Sequence, residues 1–395
     1  MGEKTLSAIR AMGVVALALA GPVATVQAQS FHTEPAPEWD ALFDRDSGWT
    51  GADGIYSIPL NGDDGLAAAG PATRTLFLFS DTAIGEVAPN DRRLPGTTLV
   101  NNTLAILGGA DPDPDRTTFF WKGKGGGSPE ALFIPATPGA EPTDWYWLMD
   151  GISLDGQLHI FALRMREGDG GVFNFAVDGV ALISTDLAGP DPYGDHVQVD
   201  TPFFREATAS HDEFHLGQAI MANTVEAGAP NPDGYIYVYG EEAGAIVKEM
   251  VAARVLPDRF TDFTAWEYWD GAGWTDDIDA VAPVTNRIST EFSVTPLPDG
   301  RFIAVFQADA LAPDVGMRIG ESPVGPFGPM QRIYRCPEVD LDPDIFVYNA
   351  KAHPHLSRPG ELLISYNVNT FDFFGDFFLH ADIYRPRFIR LIVDP

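Results

Sequence analysis

Five segments of this chain repeat one local pattern: a short strand-like run, a turn or loop, then a strongly apolar run of strand length. The second runs are RTLFLFSD from Arg74, DGQLHIFALR from Asp155, DGYIYVYGEE from Asp233, DGRFIAVFQAD from Asp299 and PGELLISYNVN from Pro359. Their starts lie roughly 60 to 80 residues apart, and they follow the shorter candidates IYSIPL, MDGISL, GQAIMANTV, TEFSVTPL and KAHPHLS. Asp-Gly and Pro-Gly are turn dipeptides because glycine accepts the positive φ that a tight reversal demands. The stretches between them lack helical periodicity and helix caps. Hairpins without helices must bury one another sheet on sheet, as a sandwich, a barrel or a propeller. Five units, each long enough for a four-stranded sheet, predict an all-β five-bladed β-propeller. The tail IYRPRFIRLIV is expected to complete the last sheet with residues near the N-terminus.

No Ser/Gly-rich or charged linker interrupts the repeat, so residues 29–395 read as one domain. Residues 1–28 read as a cleavable signal peptide: Lys4 and Arg10 precede the apolar run MGVVALALAGPVATV, and Val26-Gln27-Ala28 is a small-residue cleavage site. A secreted or periplasmic protein of bacterial type is expected. No later stretch has the ~18 apolar residues of a membrane span. A single cysteine, Cys336, excludes an intramolecular disulfide and reads as buried packing. The chain holds 25 basic against 56 acidic residues, a formal charge of −31. Such a surface repels phosphate backbones and anionic lipid, which argues against nucleic acid and membrane partners and suits a neutral substrate.

The densest chemistry lies in GWTGADGIYSIPLNGDDGLAAAGPATRTLFLFSDT, from Gly48 to Thr82. Asp53 enters the first strand candidate and Asp81 leaves the second. In antiparallel neighbours the start of one strand lies beside the end of the other, so both carboxylates should meet at one sheet edge. An isolated strand-end aspartate is usually a turn residue bonding its own backbone; the flanked pair points instead to two-carboxylate chemistry. Trp49, Thr50 and the glycines would let a ligand approach the backbone. The polar residues that enter the first strand of each unit are Asp53, Asp150, Gln218, Glu291 and Lys351. In a channel-lining register these five converge from different sheets on one space.

Other candidates carry plainer readings. Trp145, Tyr146 and Trp147 read as core more readily than as a sugar platform, and Trp266, Trp269 and Trp274 lie in a loop-like stretch where exposure would allow stacking. His353 and His355 would face one way if extended, but no third ligand lies at metal spacing, so His353 reads as a channel hydrogen-bonding group and no metal site is expected. Lys351 could neutralise part of the acidic cluster. Asn101 or Asn102 could hydrogen-bond near Asp81. No cofactor is called for, although surplus carboxylates leave room for a structural calcium. No Ser-His-Asp elbow or phosphate-cradling glycine loop occurs.

GWTGADGIYSIPL with RTLFLFSDT, then NNTLAIL, NAKAHPHLS and ELLISYNVN, resemble the secreted bacterial family known as domain of unknown function 4185, which includes glycoside hydrolase family 183, the endo-D-arabinanases. The likeness runs from about Gly48 to about Leu391. It implies a five-bladed propeller that cleaves internal α-D-arabinofuranosyl linkages by inversion, with two aspartates falling on Asp53 and Asp81. Glycoside hydrolysis needs one protonated and one ionised carboxyl group. The working assignment takes Asp53 as base and Asp81 as acid, although order in the chain does not decide between them. Glu291 is a third catalytic candidate, with Trp49, Asp150, Asn102, Gln218, Lys351 and His353 expected to bind a neutral polysaccharide. The competing readings are a non-catalytic carbohydrate-binding propeller, a hydrolase of another furanoside or polysaccharide on the same fold, and a scaffold for protein partners.

Overall fold

In the computed structural model, the structure describes residues 31–393 apart from 169, 171–173, 189–193, 209–210 and 244–246. The expected signal peptide, 1–28, lies outside the described residues. The protein is all-β. Its described strands form six separate antiparallel sheets rather than one closed barrel.

Five of those sheets follow one another along the chain, each a meander whose first main strand is the inner one, with the short strand Phe204–Arg205 ahead of it in the third. The first comprises Tyr56–Pro59, Arg74–Phe79, Thr103–Gly108 and Thr117–Phe120. The second comprises Trp145–Leu154, Gln157–Glu167, Phe175–Asp186 and His196–Asp200. Phe214–Asn223, Tyr235–Ala243 and Lys248–Val255 form the body of the third. Phe292–Pro296, Phe302–Gln307, Asp314–Gly320 and Gln331–Arg335 make the fourth. In the fifth, Ile345–Ala352, Glu361–Thr370 and Arg387–Val393 are joined by Phe31–Pro35 from the start of the described chain. That last pairing is the one expected of the C-terminal tail. A sixth, three-stranded sheet of Ser47–Ala52, Thr82–Glu86 and Thr98–Val100 flanks the first.

The strands read as near-continuous apolar runs because both faces are buried. Phe302, Ala304 and Phe306 pack toward the third sheet, whereas Ile303 and Val305, one residue out of phase, pack toward the fifth. Similarly, Leu158, Ile160 and Ala162 face the first sheet, and Phe161, Leu163 and Met165 face the third. Five apolar clusters result, one between each successive pair of sheets. The one joining the fifth to the first contains Phe77, Phe79, Leu363 and Phe388. The hairpin Leu154-Asp155-Gly156-Gln157 shows why the repeat was readable. Both loop residues hold positive φ, 50° and 79°, as a two-residue reversal between twisted strands requires.

Two local expectations are corrected. KAHPHLS is not the inner strand of the fifth unit; that strand is Ile345–Ala352, and Pro354–Leu356 is a 3-10 turn begun by a proline that cannot donate to a ladder. The C-terminal strand starts at Arg387, with Ala381–Tyr384 forming another 3-10 turn. Ahead of the first sheet a short helix, Pro37–Phe43, carries proline in its first turn, where no N–H is needed, and buries Trp39, Leu42 and Phe43.

Candidate active site

Asp53 and Asp81 sit where two antiparallel strands leave one sheet for another. Ser47–Ala52 pairs with Thr82–Glu86 in the small sheet, and Tyr56–Pro59 pairs with Arg74–Phe79 in the first. Between them the chain crosses over through Asp53-Gly54-Ile55 and Ser80-Asp81. The crossover is tied by Asp53 N–H donating to the Asp81 carbonyl at 3.2 Å and Ser80 N–H donating to the Asp53 carbonyl at 3.0 Å. Gly54 is required there: its φ is +70°, and a Cβ would lie 2.8 Å from Ser80 Oγ. The expected meeting of the two strand ends is therefore what the backbone does.

The two carboxyl groups have different surroundings. Asp81 Oδ1 accepts from Asn101 Nδ2 at 3.1 Å and Trp147 Nε1 at 3.0 Å. Burial raises its pKa to about 6, and those two donors, which favour the ionised form, oppose the rise. Asp53 Oδ2 accepts from the Tyr348 hydroxyl at 2.9 Å, while Oδ1 is buried without a partner. Burial first, then the negative Asp81 and Glu291, push Asp53 well above the usual carboxylate range. The Tyr384 hydroxyl donates to the Asp81 carbonyl at 3.2 Å and lies against the Asp53 carboxyl.

Glu291 belongs to the same cluster, since its charge acts on Asp53. It accepts from Asn349 Nδ2 at 2.8 Å and pairs with Lys351 Nζ at 2.6 Å. Lys351 in turn sits 4.6 Å above the Tyr56 ring. Even so, burial outweighs the lysine and raises Glu291. Asp150 receives N–H bonds from Ile220 at 2.7 Å and Gly151 at 2.8 Å, and burial raises it to about 8 despite them. Asp150 and Lys351 line a cavity of about 50 Å³ to which the inner strands of all five sheets contribute, through Ser57, Ile152, Ile220, Val294 and Ala352.

A register break explains the convergence. In two inner strands two residues oppose one, Met149 and Asp150 in the second sheet and Asn349 and Ala350 in the fifth, while in the third Gly217 and Gln218 are both extra and oppose none. Such bulges re-aim side chains, and at the last one Asn349 adopts φ +59°. This lets Tyr348, Asn349 and Lys351 all reach carboxylates of the cluster. Gln218 is near but turned aside: its amide bonds His215, its carbonyl accepts from Tyr56 Oη at 2.8 Å, and its Oε1 is buried without a partner.

Three expected ligand-binding residues are structural instead. Trp49 is fully buried against Phe43, Phe79 and Phe119 and donates to Thr103. Asn102 is also fully buried: it donates to the carbonyls of Phe133 and Tyr146 and accepts from Phe133 N–H, so its neighbour Asn101 serves Asp81. His353 uses both ring nitrogens, on Ser57 and Ser365, and burial beside Lys351 keeps it neutral. His355 points elsewhere, to Asp64 and Thr75. Trp266 is buried rather than exposed, and Trp269 and Trp274 pack on each other. Tyr348, Tyr384 and Trp147 are the site residues that sequence reasoning missed. Only Trp147, in its aromatic run beside Asp150, left a signal. Among the described residues no group of three or more His, Cys, Asp or Glu side chains is arranged to hold a metal.

The raised carboxyls make stability depend on pH. Asp150 holds its proton up to about pH 8 when folded, against 3.8 as a free side chain. The stability linked to it is intact below pH ~4 and is lost as pH rises to about 8. Asp53, Asp81 and Glu291 act with the same sign. We expect the Tm to fall by several degrees between pH 5 and pH 8, and Asp150→Asn to flatten that fall. Thermal melts of the two proteins across this range check it; a Tm that rises with pH would contradict it.

Comparison with known proteins adds the following. A search of the curated proteins found no match. Among solved structures, a protein from Bacteroides ovatus named as a candidate hydrolase is 20% identical, with 93% of each chain covered and a TM-score of 0.67, which shows the shared all-β fold. The α-L-arabinofuranosidase of Podospora anserina is 11% identical over 88% of this chain and 97% of that one, with a TM-score of 0.41. An endo-arabinase from Bacteroides thetaiotaomicron is 11% identical over 86% of this chain and 97% of that one, at 0.38. A family model matches residues 37–393, and the chain belongs to that family, described as domain of unknown function (DUF5005).

Proposed function

We propose that this chain is a glycoside hydrolase in which Asp53 and Asp81 are the reacting carboxyl groups. The observation that carries the reading is the contrast between them at one strand crossover. Asp81, held by two N–H donors with a pKa of about 6, is mainly ionised near neutrality. Asp53, buried beside two other carboxyls, keeps its proton. Pairs of carboxyls pushed apart in this way divide acid and base work. The roles are then the reverse of the working assignment: Asp53 is the acid and Asp81 the base.

In the proposed reaction Asp53 gives its proton to the glycosidic oxygen as the bond from the anomeric carbon breaks. Asp81 takes a proton from the water whose oxygen forms the new bond to that carbon. Asp53 ends ionised and Asp81 protonated, and exchange with solvent restores both. The Tyr348 hydroxyl holds Asp53 in place, the Tyr384 hydroxyl ties down the Asp81 backbone beside it, and the Glu291–Lys351 ion pair stands close by.

The finer reading is an endo-acting, inverting D-arabinanase on a five-bladed propeller, working outside the cytoplasm on a neutral polysaccharide. The five apolar clusters in cyclic order support the propeller, the resemblance of the opening motif supports the substrate, and the charge of −31 suits a neutral polymer. The test is incubation with D-arabinan, L-arabinan and fructan, with products separated by chain length and fresh anomers followed by NMR. Oligosaccharides of inverted configuration from D-arabinan are expected. Release from none of the polymers would overturn the enzymatic reading.

A further inference from the structure

The segment 371–379 carries phenylalanines on both of its sides. Phe373 and Phe377 turn inward and pack on Tyr384, with ring centroids 5.7 and 6.0 Å away. Phe374 and Phe378, four residues apart, turn outward, and Phe374 is 83% exposed. Both outward rings are propped edge-on by the inward ones, Phe374 by Phe373 at 5.6 Å and Phe378 by Phe377 at 5.1 Å. Phe371, also exposed, stacks at 4.6 Å on Phe346, which lies 5.3 Å from Tyr348. Of the two tyrosines beside Asp53, Tyr384 is thus backed directly by rings of this segment, and Tyr348 is reached from it through Phe346.

Arg93 fixes the segment to the site. Buried itself, it donates to the carbonyls of Phe377, Ala381 and Thr50, the last only three residues before Asp53, and its guanidinium lies 4.3 Å from the Phe377 ring centroid. Solvent-facing aromatic rings grouped on one short segment and held rigid from beneath are unusual on a chain of charge −31. Their faces suit the C–H surfaces of an uncharged sugar ring, which the acidic surroundings do not repel.

We propose that Phe371, Phe374 and Phe378 form a saccharide-binding platform that holds the chain of a neutral polysaccharide as it runs out from the Asp53–Asp81 centre. The choice of a sugar rests on the glycosidase reading, and the platform makes contact with units beyond the bond that is cut. Affinity electrophoresis in gels containing D-arabinan, L-arabinan or fructan tests it, because retardation needs binding and not turnover. At least one polymer is expected to retard the protein, and Phe374→Ala/Phe378→Ala should weaken that retention on the order of tenfold, with Phe374→Trp retaining it. A melting curve for the double variant guards against simple misfolding.

Equal retention of the double variant and the native protein would overturn the platform and leave the hydrolase reading standing. Retention by no polymer would overturn the platform as well. Aromatic-dependent retention without any product release would uphold the platform and overturn the hydrolase reading. Sedimentation supplies the remaining outcome: self-association abolished in the double variant, with polymer retention unchanged, would assign the rings to a second copy of this chain instead.

Discussion

Asp53→Asn and Asp81→Asn are each expected to lower kcat by about 10²- to 10⁴-fold, the range that general acid–base groups supply. The pH profile separates the two roles. Asp81 must be ionised, so the rate should fall as pH drops below about 6. Asp53 must be protonated, so the rate should fall again as pH climbs through its raised pKa. The limbs report the pair rather than isolated side chains, because each charge acts on the other. The residual activity of Asp81→Asn carries a further signature: with the neighbouring charge removed, Asp53 loses its proton more readily and the alkaline limb moves to lower pH. Rates of both variants and the native protein on one polymer, from pH 4 to pH 10, check this. Undiminished turnover in both variants would remove the pair from the mechanism.

Lys351→Met should be the most damaging change to stability outside the apolar clusters. Lys351 and Glu291 are 1% and 4% exposed and pair at 2.6 Å, so removing the cation strands a carboxylate in the interior. Breaking such a pair costs about 3–5 kcal/mol, with protonation of Glu291 drawing the loss toward the lower figure. The double variant Lys351→Met/Glu291→Gln keeps an acceptor for Asn349 and leaves no buried charge. It should recover much of the loss even though one more native group is gone. Urea unfolding midpoints of the three proteins decide the matter; a single variant as stable as the native chain would show that the pair contributes nothing to folding.

The hairpins and the carboxylate pair were legible in the sequence for a common reason: both are local. Asp155-Gly156 must reverse the chain wherever it stands, and Asp53 and Asp81 cap strands that pair with one another across a single loop. What was not legible depends on where a side chain points once distant strands have paired. Trp49 lies four residues from Asp53 yet faces the cluster between the fifth and first sheets. Asn101 and Asn102 are adjacent, and the alternation of an extended chain sends one to Asp81 and the other into the interior. Tyr348 reaches Asp53 across 295 positions of sequence, and no pattern near either residue announces that contact. The bulges at Asp150, Gln218 and Asn349 are likewise properties of two strands together, so the list of five polar positions could not say which side chains face one another.

The fifth sheet has a kinetic corollary. Its third strand, Arg387–Val393, hydrogen-bonds on one side to Glu361–Thr370 and on the other to Phe31–Pro35, and it is the last described strand to leave the ribosome. Four sheets can therefore assemble while the earliest strand still waits, edge exposed, for a partner more than 350 positions away. Such an open edge is where a nascent chain pairs with the wrong neighbour. Deleting Arg387–Val393 should accordingly do more harm than its length suggests, since one short deletion would unfasten the first described strand along with the last.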